Sequence, residues 1–222
     1  MTGDWLNFFR PYFATEGEAG TFVDRCESIN RDYRPPEEMD DSTPKIMMHQ
    51  TVRLMTISDA VRRLDGVHDP LSLMFMLICA ECVAKLFANY RGDRDSKRYV
   101  KAFFEEHVVT EDRQKMVDSF LMTPPARITY EEIVDLLYDI RCDVAHEGRY
   151  WGFSFPDGQQ TRPVLNPHPK HSKGKRPVTV AITLDELRRI IVRGCIGATE
   201  KKLQARQQSA AVVGAATIGR GG

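Results

Sequence analysis

The stretch "DLLYDIRCDVAHEGRYW", residues 135–151, sets an arginine in the apolar stripe of a helix and a histidine five residues later. The helix announces itself just upstream. Thr129 followed by Glu132 is a capping box, in which the two side chains satisfy the first orphan backbone N–H groups, so a helix is predicted to start at Tyr130. From there Ile133, Val134, Leu137, Ile140 and Val144 recur at threes and fours, the spacing of one buried face, and Gly148 offers a left-handed stop. Arg141 lies four residues after Leu137 and three before Val144, so its stem shares their stripe and its guanidinium faces whatever packs there. A charge in that position needs a partner. His146 falls in the last turn, where a positive imidazole interacts favourably with the helix dipole.

Taken alone, the pair has a plain explanation: an arginine at the edge of the core, paired with a carboxylate on a neighbouring helix, beside a surface histidine. Its setting points further. The string from Tyr138 to Gly148, with Arg141 and His146 at the C-terminal end of an amphipathic helix, resembles the Arg-x(4–6)-His motif of HEPN domains. Upstream, "LICAECVAKLF" (77–87), with Glu81 and an aliphatic run, is similar to an earlier helix of that domain. The resemblance covers residues 45–150 and a last helix near 184–206. It implies an all-α bundle and a ribonuclease, as in many prokaryotic toxin and defence proteins, with Arg141 and His146 as the catalytic pair. It also implies an antitoxin or defence-system partner. Cys142 stands where the family often carries a polar residue, with Asp143 beside it. Gly148 stands where one variant has tyrosine, so that variant's nucleotidyl-transfer chemistry is not carried over.

The chemistry of the residues points the same way. Metal-free RNA cleavage needs a group to take the 2′-OH proton, one to protonate the leaving 5′ oxygen, and a cation for the charge on phosphorus. Histidine is the side chain whose ordinary pKa suits both transfers near neutrality. Arginine grips phosphate with a permanent planar fork. Asp143 is positioned in sequence to orient His146, and Tyr138 and Glu81 are read as supporting residues. At about 100° per residue, however, Arg141 and His146 diverge by roughly 140° around a straight helix. A two-fold partner would bring second copies into one cleft, so a homodimer is part of the expectation.

With 222 residues, 42% hydrophobic and 28% charged, the chain is long enough for one substantial core and ordinary for a soluble globular protein. Five irregularly spaced cysteines argue against a disulfide framework and for a reducing compartment, so the expected location is the cytoplasm. The N-terminus, "MTGDWLNFFRPYF", lacks a signal-peptide pattern, and the apolar run Leu71–Ala80 is too short to span a bilayer, so no membrane role is expected. No cofactor and no metal are expected. Formal charge sums to zero but is uneven: residues 1–44 hold 10 acidic and 4 basic side chains, and residues 157–206 hold 4 acidic and 11 basic. The basic end is the better RNA track, with Lys170, Lys173, Lys175 and Arg176 its candidate phosphate contacts.

Residues 1–44 read as an N-terminal extension and linker, ending in the polar, proline-bearing segment 27–44. Residues 45–206 read as the helical domain. Its helices are predicted from Ser42 or Thr43 to Gly66, from Asp69-Pro70 to Phe87 (apolar nearly all round, hence central), at about 96–108 and 111–121, then the motif helix. The alternation of Trp151, Phe153 and Phe155, a turn at Asp157-Gly158, and that of Val178, Val180 and Ile182 predict a small β insertion over 150–182. A second capping box, Thr183 with Glu186, opens the last helix, and residues 207–222 read as a disordered small-residue tail.

Two other patterns compete for attention. Cys79-Ala-Glu-Cys82 has redox or zinc spacing, but it sits mid-helix with no second pair, which favours buried structural cysteines. His168 and His171, within "NPHPKHSKGKRP" (166–177), lack the Cys or acidic companions of a metal site. The expectation is therefore an all-α, HEPN-like bundle with a β-hairpin insertion before the last helix, working on RNA as a metal-independent homodimeric endoribonuclease. Its alternative is a non-catalytic dimerisation or partner-binding module of the same fold. A tight Glu81–Arg141 pair would favour that alternative.

Overall fold

The computed structural model describes residues 2–29, 42–64, 69–90, 92, 94–122, 127–149, 151–157, 162–166 and 177–218. Among the described residues eight α-helices follow in order: α1 (Thr2–Phe9), α2 (Glu16–Glu27), α3 (Thr43–Val61), α4 (Asp69–Phe87), α5 (Ser96–Glu106), α6 (Thr110–Ser119), α7 (Tyr130–Glu147) and α8 (Leu184–Ile218). Three short strands, β1 (Phe120–Met122), β2 (Val164–Asn166) and β3 (Val178–Val180), form one antiparallel sheet in the order β1-β3-β2. The chain is all-α with a small β hairpin, β2–β3, before the last helix.

α4 occupies the centre and packs against α3, α5, α7 and α8. Its apolar circumference explains the placement: Leu73, Met76, Leu77, Cys79, Ala80 and Val83 are fully buried. It is long and apolar enough to cross a membrane by composition, a property shared by buried core helices. α3 lies close against it because Ser58 and Ser72 replace bulk with mutual hydrogen bonds, Ser58 Oγ donating to the Ser72 carbonyl at 3.0 Å and Ser72 Oγ to the Ser58 carbonyl at 3.2 Å. α8 reaches the core beside α5 at Gly194, where a Cβ would stand 2.7 Å from Phe103 Cζ.

Three expectations need correction. The N-terminal region is no appendage: Phe9, Phe22, Val23, Cys26 and Ile29 belong to the same core. A capping box at Thr15 and Glu18 starts α2, Arg25 pairs with Glu200 of α8 at 2.7 Å, and Trp5 stacks on His49 of α3 at 4.6 Å. The second correction concerns the sheet. Residues 151–157 form no strand, although Phe153 and Phe155 are buried as their alternation implies. Instead the Asn166 side chain takes the Ser154 N–H at 2.7 Å and donates to the Ser154 carbonyl at 2.9 Å, standing in for a strand partner. The third strand comes from β1, which was read as the end of a helix. Finally, the small-residue segment read as a disordered tail is helical as far as Ile218, consistent with the high helix propensity of its alanines.

Candidate functional site

α7 is built as its sequence implies. Thr129 Oγ1 accepts from the Glu132 N–H at 3.2 Å, while the Glu132 carboxylate accepts from the Thr129 N–H at 2.8 Å. Gly148 closes the helix with φ 64°. Ile133, Val134, Leu137, Ile140 and Val144 are buried, and Arg141 lies half-buried at the edge of their stripe.

Its partner is Glu81 of α4. Arg141 Nη2 stands 3.5 Å from Glu81 Oε2, and the two side chains are 16% and 11% exposed. Glu81 has nearer neighbours, however. Lys85 Nζ sits 2.7 Å from Oε1, and Ser96 Oγ donates to the same oxygen at 2.7 Å. One carboxylate therefore lies between two cations, and its shorter contacts go to Lys85 and Ser96. Arg141 Nε is buried with no hydrogen-bond partner. The cluster carries a surplus positive charge in a place where unbalanced charge is costly.

Tyr138 completes the wall, with Arg141 Cζ 5.6 Å and Lys97 Nζ 5.9 Å from its ring centroid. Burial, the Cys142 thiol that shares a hydrogen bond with it, and Glu81 push the Tyr138 phenol up to about 12, against the pull of Arg141. Lys97 and Lys101 both reach Asp135, at 2.9 and 3.1 Å, along the neighbouring edge of α7.

The structure thus brings Glu81, Tyr138 and Arg141 together, but not His146. His146 is exposed one turn further along α7, and no hydrogen bond links the Asp143 carboxylate to it. In a single copy Asp143 therefore does not orient the imidazole; its backbone carbonyl accepts the Arg149 N–H at 3.1 Å. Lys170, Lys173, Lys175 and Arg176 lie outside the described residues, as do His168 and His171. Cys79 has a different neighbour from the one its spacing suggests: its Sγ stands 3.8 Å from Cys195 Sγ in the core. Among the described residues, no three His, Cys, Asp or Glu side chains are grouped to hold a metal ion.

No family model, curated protein or solved structure matches this chain. Sequence reading missed Lys85 and Ser96, which share Glu81 with Arg141. Lys85 was accessible in principle, four residues after Glu81 on the same helix face. Ser96 was not, because only the return of the chain into α5 brings it back to α4.

Proposed function

We propose that the chain is a metal-independent endoribonuclease of HEPN type, working as a homodimer whose α7 helices meet at a shared cleft. The observation that carries the proposal is the incomplete neutralisation of Arg141: a half-buried guanidinium whose Nη2 stands 3.5 Å from a carboxylate already engaged with Lys85 and Ser96. Such a group is fixed in direction yet still able to take a phosphate oxygen. His146, exposed and five residues on, supplies the proton chemistry.

In the reaction the 2′-OH attacks phosphorus and loses its proton to one His146 imidazole. The P–O5′ bond breaks, and the leaving oxygen takes a proton back from that same His146, now an imidazolium, so one histidine and the Arg141 of the other subunit complete a site. Arg141 holds the non-bridging oxygens as charge develops on them. The products are a 2′,3′-cyclic phosphate and a 5′-OH end.

The same contact gives the second reading its support. If Glu81 holds Arg141 closed in solution, the cluster is a structural brace and the chain a non-catalytic dimerisation module. Cleavage of a mixed RNA pool by wild type, His146→Ala, Arg141→Ala and Arg141→Lys, with end-group analysis, separates the two. The enzyme reading expects cyclic-phosphate ends from wild type in EDTA, none from His146→Ala, and a sharp loss in Arg141→Lys, which keeps the charge but loses the fork. Cleavage that persists in His146→Ala, or that vanishes with EDTA, refutes it. No cleavage by any folded form returns the brace.

A further inference from the structure

The loop from α4 into α5 sets an aromatic and cationic surface beside the Arg141 cluster that the sequence reading did not single out. Asn89 adopts the left-handed conformation (φ 54°), and the Tyr90 N–H donates back to the Lys85 carbonyl at 2.9 Å. This is a Schellman-type close of α4, with asparagine in the position that most side chains avoid. It folds Tyr90 back over the helix end. The Tyr90 ring lies against Tyr99 of α5 with centroids 4.8 Å apart and planes at 31°. Tyr99 is buried and Tyr90 is half-buried, so Tyr99 is the backing and Tyr90 the face. Gly92 lies against the hydroxyl end of the Tyr90 ring, an approach that only glycine allows because a Cβ there would overlap Cζ.

Cations surround the pair. Lys85 Nζ is 5.9 Å from both ring centroids, and Arg98 Cζ is 5.7 Å from that of Tyr99. Arg98 is exposed and forms no ion pair among the described residues. Lys85 reaches Glu81, Glu81 reaches Arg141, and Arg141 and Lys97 flank Tyr138. Two tyrosine surfaces and four cations thus lie across α4, α5 and α7; Lys85 is held by Glu81 and Lys97, half exposed, by Asp135, while Arg98 carries its charge without an ion pair among the described residues.

We propose that this band binds single-stranded RNA next to the Arg141 cluster, with a base stacked on Tyr90 and the flanking phosphates on Arg98 and Lys97. Stacking rings interleaved with cations are what an unpaired strand requires: the rings take any base through its π-face, and the cations follow the backbone. A duplex hides those faces. The choice of RNA rests on the ribonuclease reading, whereas the band itself does not depend on cleavage.

The test is fluorescence anisotropy of the full-length protein with a labelled, 2′-O-methylated mixed-sequence single strand, which cannot be cut through its 2′ position. DNA of the same sequence and the matching duplex are run in parallel. Tyr90→Ala should weaken single-strand binding by about tenfold, within the range measured for loss of one stacked base, while Tyr90→Phe should bind within about twofold of wild type. Arg98→Ala should weaken binding and lower the salt dependence by about one counterion. The duplex should bind less well than the single strand. Equal binding by wild type and both alanine variants overturns the proposal, as does preference for the duplex or failure of wild type to bind any strand at low salt. Tyr90-dependent binding without any cleavage upholds the band and removes the nuclease. Cleavage unaffected by Tyr90→Ala, with an unchanged KM, does the reverse.

Discussion

Replacing Glu81 with glutamine tests the charge balance of the cluster at almost constant shape. In the native chain the carboxylate stands 2.7 Å from Lys85 Nζ and 3.5 Å from Arg141 Nη2, with both cationic side chains about 15% exposed. Removing one member of a buried ion pair typically costs about 3–5 kcal/mol, because the remaining charge keeps its desolvation penalty. Here both cations retain some water, and the new amide can still accept from Ser96, so the expected loss is nearer 2–3 kcal/mol. For a chain of this size that lowers the melting temperature by about 5–10 °C. Circular dichroism melts of wild type and Glu81→Gln measure it directly. Inorganic sulfate should then raise the melting temperature of Glu81→Gln more than that of wild type, because an anion that binds only the folded site stabilises by mass action. A melting temperature within about 1 °C of wild type would show that the two cations do not depend on Glu81. An equal response to sulfate in the two proteins would show that Arg141 does not face a site open to anions.

Other parts of the fold allow sharper, smaller tests. Thr129→Ala removes the hydroxyl that accepts the Glu132 N–H and donates to the Glu132 carboxylate, leaves the backbone Thr129 N–H bond in place, and should cost about 1 kcal/mol in urea unfolding, whereas no change would mean that the threonine side chain does not hold the start of α7. His107 is buried against Phe87 and Phe103, and burial, helped by Lys201, depresses its imidazole to about 4. The unfolded chain therefore takes up the proton first: the contribution of His107 should be complete above about pH 6.5 and be lost as pH drops through about 4, by up to about 3 kcal/mol, so His107→Leu should show a correspondingly shallower acid slope. Native alkylation with peptide mapping should modify half-buried Cys142 before Cys26, Cys79 and Cys195, which are buried; rapid labelling of Cys79 would contradict the packing of α4 against α8.

The helices were legible wherever the sequence carried its own stop and start signals. Thr129-Glu132, Thr183-Glu186 and Gly148 each sit where the structure begins or ends a helix, and the apolar circumference of Asp69–Phe87 identified the central one. Signals that depend on distant chain were not legible. Phe120 continues a helical spacing from Met116, and only its pairing with Val180 makes it a strand. Phe153 and Phe155 alternate like a strand, yet the hydrogen bonds that would pair them are taken by the side chains of Asn166 and Asp69. In the site, a buried carboxylate on α4 and a cation in the α7 stripe implied each other, and they meet. Lys85, Ser96 and Tyr90 were not foreseen, because the turn after Phe87 and the return into α5 bring them there. The N-terminal stretch looked separable because of the polar, proline-bearing segment 27–44 that follows it; its phenylalanines decide where it packs.

The most direct test of the central claim is subunit complementation. Arg141→Ala and His146→Ala, each purified and shown to be folded, are assayed for RNA cleavage alone and after mixing under conditions that allow subunits to exchange. If Arg141 and His146 act across a two-fold axis, each variant alone is inactive, and the mixture regains up to about a quarter of wild-type activity, since half the dimers are mixed and each mixed dimer holds one complete arginine and histidine pair. Two inactive variants that remain inactive after demonstrated exchange, beside an active wild type, would contradict the shared cleft.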